Sequence, residues 1–285
     1  MEAIRDEETK VTEHFPPGPA LDPNAPVILE VVDHVATVTL NRPHALNALN
    51  PEMIVRLLGV WQHVRDTADI HVVILTGAGD RAFCAGADLK RLVPLMIGVR
   101  APEDEWDEIV LRNPRTIEDA MLRELDIDRP IVAAINGLAM GGGLEMIQAT
   151  DIRLACSDAV FSLPEVTRGL FPVGGSTVNM PAQMPFAPSM ELLLTGQPFG
   201  ADRALALNFI NSVHPRAVLL QAAREIARTI ASHSSVAVRA IRRSVRATAD
   251  LPRSLALAKE REIAKSVFDS DAARAGVARF ASIPS

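Results

Sequence analysis

A mixed α/β core followed by a helical C-terminal layer is the fold class this sequence predicts. Strand-length runs of β-branched residues dominate the first 160 positions, and two of these runs end in Gly-rich turns that lead toward helical patterns. From Ala201 onward the apolar residues recur at helical spacing.

The elements follow in order. Residues 1–26 carry Pro16, Pro17, Pro19, Pro23 and Pro26 among charges, a composition that closes no core and predicts an extended arm. Val27–Val32 and Val35–Leu40, parted by Asp33-His34, read as a hairpin. Asn50-Pro51 supplies a cap and a first-turn proline for a helix whose inner face is Met53, Leu57, Val60, Trp61 and Val64. His71 to Thr76 reads as a strand closed by Gly77-Ala78-Gly79-Asp80, after which Arg81 to Lys90 is irregular. Pro102 and Pro114 interrupt the next stretch, so 91–128 reads as a loop followed by a helix near Thr116 to Glu124. Pro130 to Ile135 has the length and branching of a buried strand, and Gly141-Gly142-Gly143 opens a helix running to Thr150. Asp151 to Ala155 and Val160-Phe161 read as strands, and helices are predicted near 201–208, 216–232, 235–247, 254–268 and 271–280.

Composition narrows the function. At 285 residues, 48% hydrophobic and 22% charged, the chain is long enough for a substantial core, and it has no apolar run of the roughly 20 residues a membrane span needs. A net charge of −6 lacks the basic footprint of a dedicated nucleic-acid binder. Cys84 and Cys156 stand apart without zinc or disulfide spacing, the histidines lack ligand spacing, and the acidic first ten residues are unlike a secretory leader. A reducing cytoplasm and no metal are the expectations. Arg239, Arg242, Arg243 and Arg246 form a basic helical stripe, read as a solvated face in preference to a phosphate or RNA contact.

The chemistry gathers at the two Gly-rich turns. Gly77-Ala78-Gly79-Asp80-Arg81-Ala82 fits a dinucleotide fingerprint, but such a turn must open directly into a helix, whereas Phe83-Cys84-Ala85-Gly86 continues as loop. Ala85-Gly86-Ala87-Asp88 reads instead as a presentation loop, with an outward Ala87 N–H and Asp88 starting a helix at about Leu89; a plain turn is the alternative. Three glycines at the second helix entry each cost about 0.5–1 kcal/mol relative to alanine, so close packing there is required. The free N–H of Gly142 at that helix start suits a developing anion. Glu145 is the only charge in residues 131 to 150, and Glu165 the only one in 161 to 167. A lone acid in an apolar run is either a structural hydrogen-bonding group or a functional carboxylate with a raised pKa.

Four ordered motifs carry a family resemblance. Leu40-Asn41-Arg42-Pro43-His44-Ala45-Leu46-Asn47, Arg81 to Leu89 with its Cys84-Ala85-Gly86-Ala87-Asp88, Pro130 to Gly137 with Gly141-Gly142-Gly143-Leu144-Glu145, and Pro164-Glu165 with Gly169-Leu170-Phe171-Pro172 resemble the crotonase, or enoyl-CoA hydratase/isomerase, superfamily. The resemblance implies a spiral of ββα units over 27–200 and a C-terminal helical region, 201–285, that assembles a homotrimer or a dimer of trimers. It implies an acyl-CoA thioester substrate, with no cofactor beyond the coenzyme A of that substrate. Ala87 and Gly142 match the oxyanion-hole donors, Ala85 the backbone that meets adenine, and His44 and Ala45 the segment lining CoA. Asp88, Leu89, Lys90 and Val173 complete the implied substrate-binding set.

Glu145 and Glu165 match the two acids of the family's hydratases, which implies addition of water to a 2-trans-enoyl-CoA in lipid degradation. An isomerase or another thioester enzyme using mainly Glu165, and a non-catalytic acyl-CoA- or RNA-binding trimer, are the alternatives. This sequence departs from the family pattern in four places. His44 stands where a base is common, Val173 where glycine is common, residues 91–118 lengthen the acyl-pocket lid, and no base follows Phe280.

Overall fold

The computed structural model describes residues 24–113 and 115–281. The expected arm therefore lies outside the described residues except for Asn24, Ala25 and Pro26. The hairpin β1 (Val27–Val32) and β2 (Val35–Leu40) is antiparallel, with Asp33 and His34 both at positive φ in its two-residue turn. A 3-10 turn over Pro43–Ala45 leads to α1 (Pro51–Asp66), whose first turn is capped by the Asn50 side chain accepting from Met53 N–H. Strand β3 (Val72–Gly77) turns a corner into β4 (Ala82–Cys84). No helix opens at the Gly77–Asp80 turn, which removes the dinucleotide reading.

The stretch expected as loop is largely helical: α2 (Leu92–Met96), α3 (Glu105–Arg112) and α4 (Arg115–Ala120). Pro94 sits in the first turn of α2, where a missing N–H is tolerated, and Asp104 caps α3 by accepting from Asp107 N–H. The helix expected near 116–124 is thus α4, and it ends at Ala120. Next come β5 (Ile131–Ile135), β6 (Leu138–Met140) and α5 (Gly142–Gln148), then β7 (Ile152–Cys156), β8 (Val160–Ser162) and a 3-10 turn over Pro164–Arg168. Two helices without a sequence expectation follow, α6 (Ser176–Gln183) and α7 (Phe186–Thr195).

The rest is β9 (Phe199–Gly200), α8 (Ala201–Ala206), β10 (Ser212–His214), α9 (Arg216–Ala231), α10 (Ser235–Thr248), α11 (Arg253–Phe268) and α12 (Asp271–Ala281). The region after Ala201 is therefore not purely helical. Ser212, Val213 and His214 return to pair with β7, a three-residue strand too short to show a period of two.

Two sheets result. The larger runs β1-β2-β3-β5-β7-β10 and is parallel from β2 onward; the smaller runs β4-β6-β8-β9. Three times the chain leaves a strand of the large sheet and turns directly into a strand of the small one. Helices cover the large sheet, α9 against β3, β5 and β7, and α1 against β1 and β2. Parallel strands buried on both faces read as continuous apolar runs, which is why residues 72–75 and 131–135 were legible as strands. Asn136 ties two corners together, accepting from Gly77 N–H and donating to the carbonyls of Gly77 and Gly79.

The basic stripe on α10 is paired along its length, although Arg243 and Arg246 stay exposed. Arg239 and Arg243 pair with Asp128, Arg242 with Asp126 and Asp151, and Arg246 with Asp151 and the Ala149 carbonyl. Arg242 is 8% exposed. These guanidiniums dock α10 onto the loops that lead into β5 and β7, a partnership that acids more than 90 residues away in sequence conceal.

Candidate active site

The small sheet positions the site. Each of its first three strands delivers one piece at its C-terminal end: β4 leads to Ala87, β6 to Gly142 and Glu145, and β8 to Glu165. The Ala87 loop is pinned to the segment after β2 by alternating backbone bonds. Ala85 N–H donates to Leu46 O (3.0 Å), Leu49 N–H to Gly86 O (2.8 Å) and Asp88 N–H to Leu49 O (2.9 Å). Asn47, fully buried, braces that segment by donating to the Ala78 and Ala82 carbonyls. The Ala87 and Gly142 N–H groups donate to no group among the described residues. Both residues line one cavity of about 280 Å³.

Glycine is required where the two turns meet. Gly86 (φ +85°) and Gly141 (φ +52°) occupy backbone conformations that side chains rarely adopt. A Cβ on Gly86 would come within 2.6 Å of the Met140 carbonyl, and one on Gly141 within 2.7 Å of Glu165 Oε1. The close approach of these two turns places both free N–H groups on one wall.

Glu145 and Glu165 line the same cavity. Glu145 is 5% exposed, and its Oε1 accepts from Gly174 N–H at 2.7 Å. Burial, and then the like charge of Glu165, push its carboxyl up to about 7, against the hydrogen bonds of Gly174 and Ser176. Ser176 is itself fixed by Gln148, whose Nε2 donates to the hydroxyl at 2.9 Å. Burial also raises Glu165, opposed by a backbone hydrogen bond and the nearby Arg168. Its Oε2 is buried without a hydrogen-bond partner among the described residues. Two acids of raised pKa facing two free N–H groups can exchange protons with a molecule whose oxygen accepts from the N–H pair.

Glu145, Glu165, Ala87, Gly142 and Val173 meet at this cavity. His44, exposed, and Ala45 lie on the neighbouring segment that Ala85 joins through Leu46, at the edge of the site and outside its wall. Leu89 and Lys90 are exposed and also outside the wall. Asp88 is engaged within the chain: it pairs with Arg42 at 3.1 Å and accepts from the N–H groups of Lys90 and Arg91. The helix expected at Leu89 begins at Leu92, because Asp88 first closes a turn and its carbonyl then takes the Leu92 N–H.

Several wall residues had no reading of their own. Leu92, Val93 and Met96 of α2 line the cavity together with the following Ile97, with Ile117 and Met121 beside them, so part of the 91–118 stretch covers it. Their spacing was the available signal, obscured by Pro94 inside a five-residue helix. Gly174 supplies the N–H that grips Glu145. A Cβ at Gly174 would come within 2.5 Å of Glu145 Oε2. Gly174→Ala is expected to lower kcat roughly 100-fold through displacement of that carboxylate; steady-state kinetics with unchanged KM is the check.

A fully buried Asp107 on α3 holds the lid. It accepts from Arg100 at 2.7 Å and from Arg91 at 3.3 Å, spanning both ends of α2, and these bonds hold its carboxyl at about 2 despite burial. Because its folded pKa lies below the ordinary value, it stabilises the fold above about pH 4, and that contribution fades as pH falls toward 2. Asp107→Asn is expected to destabilise the protein by about 2 kcal/mol at pH 7, read as a lower midpoint in urea.

The chain's similarities decide its kinship. Residues 30–282 match the family model described as enoyl-CoA hydratase/isomerase. The chain belongs to the enoyl-CoA hydratase/isomerase family. Within that family it is 39% identical over 227 residues to (E)-benzylidenesuccinyl-CoA hydratase of Thauera aromatica, covering 80% of this chain and 84% of that one. It is 37% identical over 254 residues to enoyl-CoA hydratase EchA19 of Mycobacterium tuberculosis, covering 89% and 92%. Its fold superposes on the crystal structure of an enoyl-CoA hydratase from Bacillus anthracis with a TM-score of 0.80 at 31% identity, over 90% of this chain and 95% of the other. The two-sheet core with C-terminal helices is therefore the crotonase fold of the family, as the motifs implied.

Proposed function

We propose that this enzyme is an enoyl-CoA hydratase that adds water across the C2=C3 bond of a 2-trans-enoyl-CoA. The observation that carries the proposal is the pairing of Glu145 and Glu165 in one cavity with the free Ala87 and Gly142 N–H groups. The thioester oxygen accepts from those two donors, which stabilise the enolate formed as water attacks C3. Glu145, gripped by Gly174, takes a proton from that water. Glu165, whose Oε2 is unpartnered, delivers a proton to C2. The elements of water are added, C3 gains the hydroxyl and C2 the hydrogen. The reaction is redox-neutral, so in this reading it needs no cofactor beyond the substrate's own CoA.

Curated relatives with hydratase names support the reading. The test is loss of the conjugated enoyl-thioester absorbance with substrates of short, medium and long chain; no turnover with any of them would sink it. Glu145→Ala separates hydration from isomerisation, since double-bond migration through Glu165 alone would survive that change. We place the enzyme in cytoplasmic acyl-CoA degradation and read its assembly as a homotrimer, alone or doubled. The exposed Ile241, Val245 and Phe268 beside the α10–α11 groove support assembly through the C-terminal helices.

A further inference from the structure

The cavity wall is chemically one-sided. Apart from Glu145 and Glu165 its side chains carry no charge, and its buried floor is Leu49, Ile54, Leu92 and Met121. Among the described residues the nearby bases lie off this wall: Arg91 and Arg100 pair with Asp107, Arg42 with Asp88, and Arg168, exposed and reaching the Pro164 carbonyl, acts on Glu165 from outside the lining. A carboxylate held against that buried floor would lose its water, meet two acids and find no cation in the wall among the described residues, an arrangement that disfavours binding. The cavity, about 280 Å³, is also nearly twice the roughly 150 Å³ apolar space that accepts a benzene ring. A four-carbon acyl group would leave much of that apolar wall uncovered.

Resting on the hydratase reading for its chemistry, we infer that the substrate is an uncharged, apolar enoyl-CoA with more than four acyl carbons, and that enoyl-CoAs with a terminal carboxylate are rejected. The selectivity comes from what the wall lacks. A cation placed on the half-buried flank of the cavity, at Ile117, would supply the missing partner.

The experiment compares kcat/KM of the full-length enzyme for trans-2-hexenoyl-CoA and hex-2-enedioyl-CoA, which share six carbons and differ in the terminal carboxylate. Trans-2-octenoyl-CoA is compared with crotonyl-CoA for size. Preferences of about 100-fold for hexenoyl over hexenedioyl and about tenfold for octenoyl over crotonyl are expected. A ratio below tenfold in the first comparison overturns the charge selectivity, and equal or faster turnover of crotonyl-CoA overturns the size selectivity. Ile117→Lys is expected to shrink the first ratio at least tenfold, and an unchanged ratio in a folded variant counts against the assignment of this wall. Competition by hexanoyl-CoA against adipyl-CoA keeps the two readings separable. Tighter hexanoyl-CoA binding without turnover of any enoyl-CoA means the hydratase reading fails and the acyl selectivity stands, whereas equal binding overturns the selectivity.

Discussion

Glu165→Gln and Glu145→Gln are each expected to lower kcat for hydration by about 1,000-fold or more while leaving acyl-CoA binding nearly intact. Glutamine matches glutamate in shape and can still fill the space beside Gly141 or accept from Gly174 N–H, so the cavity keeps its form. What it cannot do is gain or lose a proton at neutral pH, and a positioned acid or base typically contributes 10²–10⁴ in rate. In the proposed addition both acids serve one step, so the double variant should lose much less than the product of the single losses. Stopped assays with trans-2-hexenoyl-CoA, alongside titration with hexanoyl-CoA, measure the two quantities separately. Either variant retaining wild-type kcat would remove that acid from the mechanism.

The same substitution at Glu145 should make the protein more stable. Its carboxyl sits near 7 in the fold against 4.5 ordinarily, because burial and the facing Glu165 both disfavour the charge and Arg168 is the base acting on Glu165. A group whose folded pKa is raised binds its proton more tightly in the fold, so it opposes folding once deprotonated. This destabilisation is absent below about pH 4.5, grows through pH 7 and reaches roughly 3 kcal/mol above it. Glu145→Gln removes it. The variant is expected to melt several degrees above wild type at pH 8 and to match it near pH 4.5. Equal melting temperatures at pH 8 would mean that Glu145 carries no such strain. An enzyme that becomes inactive and more stable through one change is what a functional, rather than structural, buried acid predicts.

Legibility in the sequence followed the range of the interactions. Strands buried on both faces, the capped helix after Asn50 and the long C-terminal helices announce themselves within a dozen residues. Glu145 and Glu165 were visible because a lone charge in an apolar run is anomalous locally. Of the three-residue strands of the small sheet, Val160–Ser162 showed through Val160-Phe161, whereas Ala82–Cys84 and Leu138–Met140 did not, since they are held by pairing with distant partners. The stripe on α10 failed for the same reason: Asp126, Asp128 and Asp151 decide its role from more than 90 residues away. Asp88 misled in a different way, as a good capping residue that closes a turn before the helix can start.

The small sheet gives the active site an order of assembly. Ala87, Gly142 and Glu165 lie on chain segments separated by tens of residues, and they become neighbours only when β4, β6 and β8 have paired in register. Shifting β8 by one residue against β6 would carry Glu165 about 3.3 Å past Gly141 and turn alternate side chains to the opposite face. Catalytic competence is thus a property of non-local strand pairing, the slow kind of contact in folding. Recovery of enzyme activity after denaturation should trail recovery of helical signal from the C-terminal layer, so that the reaction itself times the closing of three short strands.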